Sequence, residues 1–92
     1  MKKFLIESSH GADKKSCIEA IKVFLETGNH LLTHADWGCL DGVHKGWIIV
    51  EANSKEEAIY VLPPFYRSTA RVIEVVNFTM EDIMPEKEKY HE

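Results

Sequence analysis

The chain has 92 residues and a formal net charge of -4, with 45% hydrophobic and 28% charged residues. This length allows one domain with a single modest core, and the composition is typical of a globular protein. The negative charge, with Arg67 and Arg71 as the two arginines, argues against a nucleic-acid interface.

The sequence also bears on location. No apolar run approaches the roughly 20 residues that cross a membrane. Residues Met1 to Lys3 lead into a short strand without the apolar core of a signal peptide. We therefore expect a cytoplasmic protein without a membrane partner, in which Cys17 and Cys39 are free thiols.

The first predicted elements are a strand and a helix. Residues Lys3 to Ser9 alternate as a strand does, and His10-Gly11 ends the run. A helix follows, beginning at Asp13 or at the possible capping box Ser16-x-x-Glu19, and Gly28 supplies its stop. Its inward stripe at helical spacing consists of Cys17, Ala20, Ile21, Phe24 and Leu25.

A β-hairpin is predicted from about Leu31 to Asn53. Asp41-Gly42 between extended runs favours a two-residue turn, which needs positive φ at both central positions. Counting outward from this turn places four pairs opposite each other: Leu40 and Val43, Cys39 and His44, Trp37 and Gly46, His34 and Ile49.

The last part of the domain repeats the helix and strand pattern. Ser54-x-x-Glu57 caps a short helix that Pro63-Pro64 ends, and Arg71 to Phe78 reads as the final strand. Thr79-x-x-Asp82 can cap one more helical turn. Residues 1–84 therefore form one domain, and residues 85–92 form a charged, flexible tail.

This element order predicts an α+β protein with the ferredoxin-like βαββαβ fold. In that fold a four-stranded antiparallel sheet has the order 4-1-3-2, with two helices on one face. The strand directions bring three distant segments to one end of the sheet, and we expect any ligand site there or opening toward His34. These segments are His10-Gly11, Trp37 to His44, and Pro63 to Arg67.

The chain resembles small proteins of the dimeric α+β barrel superfamily, through this element order and the segments WGCLDGVHKGW and VLPPFYR. The resemblance covers about Lys3 to Phe78 and implies a homodimer joined through the open sheet faces. We place Leu5, Leu32, Trp47 and Ile49 on that face. Many members of the superfamily are enzymes or ligand binders, but no subfamily's catalytic residues match positions in this chain.

His34 and Asp36 are the candidate acid/base residues. Two positions apart on one strand, they would share a face, and a carboxylate can orient an imidazole and raise its pKa. Solvated polar residues, or a pair across a subunit interface, are the competing interpretation.

The convergent end supplies the candidate ligand-binding residues. Free amides of the first helix and the guanidinium of Arg67 or Arg71 could hold a carboxylate or phosphate. Arg67 could instead cap carbonyls of the second helix or pair with Asp36 or Asp41 on the surface. Aromatic rings there could line an apolar pocket or belong to the core. The candidates are His10, Trp37, His44, Tyr66 and Arg67.

No metal and no cofactor is predicted. In the expected register His34 and Asp36 share one face of the sheet, while Cys39 and His44 lie on the other. Only His10 could join Cys39 and His44 without a large distortion, and these residues lack the close Cys-x-x-Cys spacing of a zinc site.

Two functions remain open from sequence. One is a dimer that binds or converts a small aromatic or carboxylate-bearing molecule. The alternative is a non-catalytic module for a regulatory ligand or a protein partner. A closed cavity of roughly 300 Å³ or more would favour the first.

Overall fold

The computed structural model describes residues 1–27 and 29–84, which form an α+β fold with a four-stranded antiparallel sheet. The predicted Gly28 helix stop and the predicted tail over residues 85–92 lie outside the described residues. The strands are β1 (Lys2–Ser9), β2 (Asp36–Trp37), β3 (Lys45–Ala52) and β4 (Ala70–Val75). The α-helices are α1 (Lys14–Glu26), α2 (Lys55–Ile59), α3 (Pro64–Arg67) and α4 (Met80–Ile83). Two short 3-10 helices cover Leu32–His34 and Cys39–Asp41.

The strands lie in the order β2-β3-β1-β4, which reads 4-1-3-2 from the β4 edge. β1 is central in this sheet and pairs antiparallel with both β3 and β4. Ile6, for example, lies opposite Ile48 on one side and Val72 on the other. The two longest strands therefore set the register of the sheet, and β2 adds a short edge.

One face of the sheet forms the hydrophobic core. Even-numbered positions of β1 and β3 point to this face because side chains alternate along a strand. The buried core unites Phe4, Ile6, Ile48, Val50 and Ala52 of the sheet with residues of the helices, the first 3-10 helix and the segment between α2 and α3. Those residues are Ala20, Phe24, Leu32, Ala58, Leu62 and Tyr66. Burying each large apolar side chain contributes about 1.5–3 kcal/mol to stability.

Helix α1 begins at Asp13, the earlier of the two predicted starts. The Ser16 amide donates to Asp13 Oδ2 at 2.9 Å, and Ser16 Oγ donates to Asp13 Oδ1 at 2.7 Å. The predicted inward stripe is correct for Cys17, Ala20 and Phe24, which are buried. It is wrong for Leu25, which is 55% exposed because it lies one position beyond the face that meets the sheet.

The predicted two-residue hairpin turn is wrong. Trp37 does pair with Gly46, but Asp41 belongs to a 3-10 helix and the positive φ is confined to Gly42, at 79°. The Gly38 carbonyl accepts hydrogen bonds from the amides of Asp41 and Val43, both at 3.0 Å. These bonds close a wider loop, which spares Asp41 the left-handed conformation that a two-residue turn would impose.

The first strand of the predicted hairpin, from about Leu31, is reduced to the two residues of β2. Leu32 and His34 lie in a 3-10 helix, so the predicted pairing of His34 with Ile49 does not occur. Leu32 was expected on the open sheet face, yet it is 1% exposed and part of the core. The 3-10 helix turns Leu32 into the core, where burial of its large apolar side chain stabilises the fold. A longer β2 at the sheet edge would not bury this side chain.

The C-terminal elements occur in the predicted order with other bounds. The last strand ends at Val75 and not at Phe78, and α2 ends at Ile59, before the predicted stop at Pro63-Pro64. Ser54 caps α2, and Thr79 and Asp82 form the predicted capping box of α4. Pro64 starts a further short helix, α3, in keeping with the preference of proline for the first helical turn.

Among residues 1–27 and 29–84, no helix has the length and apolar character needed to cross a membrane.

Gly46→Ala should destabilise the fold by about 1–3 kcal/mol, the usual cost of overpacking. A Cβ atom at Gly46 would lie 2.8 Å from two carbons of the Trp37 ring, which is itself packed against Phe24. Urea unfolding followed by circular dichroism measures the change in the free energy of unfolding.

Gly42→Asn is the matched control. The Gly42 site is open, with no atom within 4 Å of an added Cβ, and asparagine tolerates its positive φ. We expect a loss below about 1 kcal/mol, and equal losses in the two variants would contradict close packing of Trp37 on Gly46.

Candidate functional site

Three segments meet at one end of the sheet, as the strand order predicts. The backbone N–H of His10, just after β1, donates to the carbonyl of His44 at 3.2 Å. On the other side of β1, Thr69 Oγ1 donates to the Ser9 carbonyl at 3.5 Å. The end of β1 is therefore held between the loop before β3 and the segment that precedes β4.

A half-open cavity of about 700 Å³ lies at this end. It is bounded by the end of β1, one face of α1 and the α3 region. The lining residues are Ser9, His10, Gly11, Ser16, Glu19, Val23, Phe65, Tyr66, Ser68 and Thr69. Of the predicted ligand-binding residues, His10 and Tyr66 line this cavity, whereas Trp37, His44 and Arg67 are not part of its described lining.

The α1 side of the cavity was missed from sequence. Ser16, Glu19 and Val23 are three and four positions apart, so they share one face of the helix. Glu19 is exposed, so it lines the open side of the cavity. The spacing of these three residues, together with the placement of His10 at the same end, is the signal that could have found them.

His10, Cys39 and His44 form a compact cluster beside the cavity. Cys39 Sγ lies 3.2 Å from His10 Nε2, and one donor atom from each of the three residues lies within 4.8 Å of the other two. The His10 and His44 rings meet edge to face, with centroids 5.7 Å apart. The sequence placed Cys39 and His44 together and named His10 as the residue able to join them.

Burial disfavours the charged forms of His10 and Cys39. It lowers the pKa of His10, and the neighbouring His44 lowers it further. Burial, followed by the effect of the Cys17 thiol, raises the pKa of Cys39 to about 11. In the protein itself the Cys39 sulfur is therefore a protonated thiol near neutral pH, which makes a thiolate nucleophile paired with His10 a poor description of this site.

Both imidazoles also have an unsatisfied nitrogen. The Nδ1 atoms of His10 and His44 are buried and have no hydrogen-bond partner in the described part of the chain. Such atoms are uncommon, because removing a polar nitrogen from water without replacing its hydrogen bond is unfavourable.

Aromatic packing connects the cluster with the core. The Trp37 ring lies 4.9 Å from that of Phe24 and 5.9 Å from that of His10, centroid to centroid. Phe24 also contacts Tyr66, whose pKa is raised by burial and then by Glu19. Trp37 thus supports His10 from the core side, and Tyr66 forms the wall between the core and the cavity.

The predicted anion site does not assemble. Arg67 Nε donates to the Leu62 carbonyl at 2.9 Å, its Nη2 donates to the Tyr60 carbonyl at 3.2 Å, and its guanidinium lies over the Tyr60 ring. The N-terminus of α1 is already capped by the Asp13 carboxylate. The alternative role for Arg67, capping the second helix, is the one observed.

The predicted acid/base pair is not brought together on a strand. His34 is exposed in the first 3-10 helix, and its ring packs against that of His30 with centroids 4.6 Å apart. Asp36 is exposed in β2, and no hydrogen bond joins it to His34 among the described residues. His30 was not among the predicted site residues, although its four-residue spacing from His34 permits such a contact.

Comparison with known proteins adds no constraint on this site: no protein-family model, curated protein or solved structure matches the chain.

Arg67→Ala should lower the free energy of unfolding by about 1.5–3 kcal/mol, the range for hydrogen bonds made by a charged group. The Leu62 and Tyr60 carbonyls would lose their hydrogen-bond donor, and the Tyr60 ring would lose its contact with the guanidinium. Lys55→Ala removes an exposed cation from the start of α2 and should cost less than about 0.5 kcal/mol. Urea midpoints that agree for the two variants would contradict the capping role of Arg67.

Proposed function

We propose that this protein binds a small, uncharged aromatic molecule in the cavity at the end of the sheet. The observation that carries the proposal is the cavity itself, whose volume of about 700 Å³ falls within the range of small-molecule sites. Phe65 and Tyr66 offer aromatic walls, while the hydroxyl groups of Ser9 and Thr69 offer polar contacts. This combination of apolar walls and a few polar groups suits an aromatic ring that carries a hydroxyl or amide substituent.

The charges around the cavity favour an uncharged ligand over a carboxylate. Glu19 is the charged side chain of the described lining, and it would repel an anion. The pKa of His10 is lowered by burial, so this ring is mainly neutral at pH 7. Arg67, the expected partner of a carboxylate, already donates to backbone carbonyls.

Binding without catalysis is the version of this function that the site supports best. Without a bound cation, burial raises the pKa of the Cys39 thiol to about 11, so this sulfur is a poor nucleophile near neutral pH. His34, the proposed base, lies in an exposed 3-10 helix with its ring against His30. A regulatory or carrier role for the bound molecule therefore fits better than acid/base or nucleophilic conversion.

A ferredoxin-like topology and a homodimer resembling the dimeric α+β barrels complete the proposal. The sheet face opposite the core carries Leu5, Trp47 and Ile73, all half-buried, and Ile49, which is 58% exposed. Such a face is stabilised when a second copy covers it.

Glu7, a charged residue on the same sheet face, is already paired. Glu7 accepts a hydrogen bond from Trp47 Nε1 at 3.2 Å and forms an ion pair with Lys45 at 3.4 Å. The Trp47 hydrogen bond is the largest cause that lowers the pKa of this carboxyl, with Lys45 adding to it. A covered Glu7 would therefore keep its partners, which removes one obstacle to dimerisation.

Phenol should bind in the cavity, and benzoate should bind more weakly or not at all. Backbone amide NMR shifts on adding phenol should cluster at Ser9 to Gly11 and Phe65 to Thr69. Ser68→Trp, at the cavity edge, should abolish these shifts by filling space, whereas Asn53→Trp, at the opposite end of the sheet, should leave them unchanged. Preferential binding of benzoate, or shifts centred on Asn53, would contradict the proposed ligand class or site.

Ile49→Lys should convert the protein from dimer to monomer. Placing a charge in the centre of an apolar interface without a partner is strongly unfavourable. Sedimentation velocity at micromolar concentration should give a dimer for the native chain and a 10.6 kDa monomer for the variant. Leu25→Lys is the control, since Leu25 is 55% exposed on α1, away from the sheet face. A native chain that sediments as a monomer would refute the dimer.

A further inference from the structure

We propose that His10, Cys39 and His44 bind a transition-metal ion of the Zn²⁺ class. This site goes beyond the proposed aromatic ligand, because its donor atoms come from a cluster of which only His10 reaches the cavity lining. The spacing in sequence contains no metal motif, and it predicted none. The tertiary structure instead assembles donors that are 29 and 5 positions apart in the chain.

The geometry of the cluster is close to that of a metal centre. Zinc binds imidazole nitrogen at about 2.0–2.1 Å and thiolate sulfur at about 2.3 Å, so ligand atoms of a tetrahedral ion lie roughly 3.4–3.8 Å apart. The three candidate atoms lie within 4.8 Å of one another, and the Cys39 to His10 distance is 3.2 Å. Side-chain shifts of roughly an ångström would bring all three to bonding distance.

The surroundings hold the three residues in place. A backbone hydrogen bond of 3.2 Å joins His10 to His44, and the Gly38 carbonyl fixes the loop that carries Cys39. The Trp37 ring packs against His10. Donors held by separate, hydrogen-bonded backbone segments require little further ordering when an ion binds.

The unsatisfied nitrogens are a second, independent observation. Nδ1 of both His10 and His44 is buried without a hydrogen-bond partner in the described part of the chain. A neutral imidazole offers one lone pair, on one of its two ring nitrogens. Ligation through Nδ1 would satisfy that atom of His44, and His10 can ligate through either nitrogen, of which Nε2 is the one 3.2 Å from Cys39 Sγ. The cation also supplies the positive charge that stabilises a bound thiolate.

The donor set decides the class of metal. Two imidazoles and one thiolate suit Zn²⁺ or copper, whereas Ca²⁺ and Mg²⁺ prefer oxygen ligands. Three protein ligands leave a fourth tetrahedral position for water or another small ligand. A resident ion would therefore lie beside the cavity, with His10 common to both.

Cobalt(II) titration of the reduced protein tests the site, because Co²⁺ reports tetrahedral thiolate ligation through visible ligand-field bands and a near-ultraviolet sulfur-to-metal band. We expect one equivalent to bind and Zn²⁺ to displace it. Cys39→Ser should remove the sulfur-to-metal band, and both Cys39→Ser and His44→Gln should weaken binding by more than about tenfold. Circular dichroism verifies folding, and His44→Gln decides alone if Cys39→Ser does not fold.

His34→Gln is the matched control. His30 and His34 form an exposed pair that could bind a metal ion on its own, so this variant should leave the spectrum and affinity unchanged. A sulfur-to-metal band that persists in Cys39→Ser would assign the thiolate to Cys17 and overturn the proposal. Loss of binding in His34→Gln, or no such band in the native protein, would overturn it as well.

Discussion

The packing of Trp37 over Gly46 is the contact on which the rest of the structure depends. The Trp37 ring occupies the space that a side chain on the opposite residue would fill, and Gly46 leaves that space open. From there the ring reaches Phe24 in the core and His10 at the end of β1. One edge residue thus connects the sheet, helix α1 and the candidate site, so the site geometry is coupled to core packing.

The loop that follows Trp37 shows how backbone preference shapes the site. A two-residue turn would force Asp41 into the left-handed region, whereas the 3-10 helix over Cys39–Asp41 leaves only Gly42 there. The same 3-10 helix carries Cys39 to a position 3.2 Å from His10 Nε2. The loop conformation that avoids strain at Asp41 therefore also brings the Cys39 thiol to the two imidazoles. Burial there lowers the pKa of His10 and raises that of Cys39.

The structure departs further from the binding roles predicted for charged groups than from the predicted helices and strands. Arg67 and the start of α1 were candidate anion binders, but each is used by a nearby backbone or carboxylate partner. The backbone carbonyls after α2 and the amides at the start of α1 need partners, and local side chains reach them before any ligand does. What remains at the cavity is a set of hydroxyl groups, a neutral imidazole and one carboxylate, which changes the expected ligand from an anion to an uncharged aromatic molecule.

The sequence by itself determined the four strands' existence, the long helix with its Asp13 start and the end of the sheet where distant segments meet. These features depend on alternation, capping and chain direction, which are local or follow from element order. Only the tertiary structure decided that Leu32 turns into the core, that Asp41 belongs to a 3-10 helix, and that His34 and Asp36 do not pair on a strand. Only the folded chain, too, brings His10, Cys39 and His44 together and engages Arg67. These outcomes depend on how burial and hydrogen bonding compete between segments that are distant in the chain. A local sequence pattern does not show which of these interactions is the more favourable.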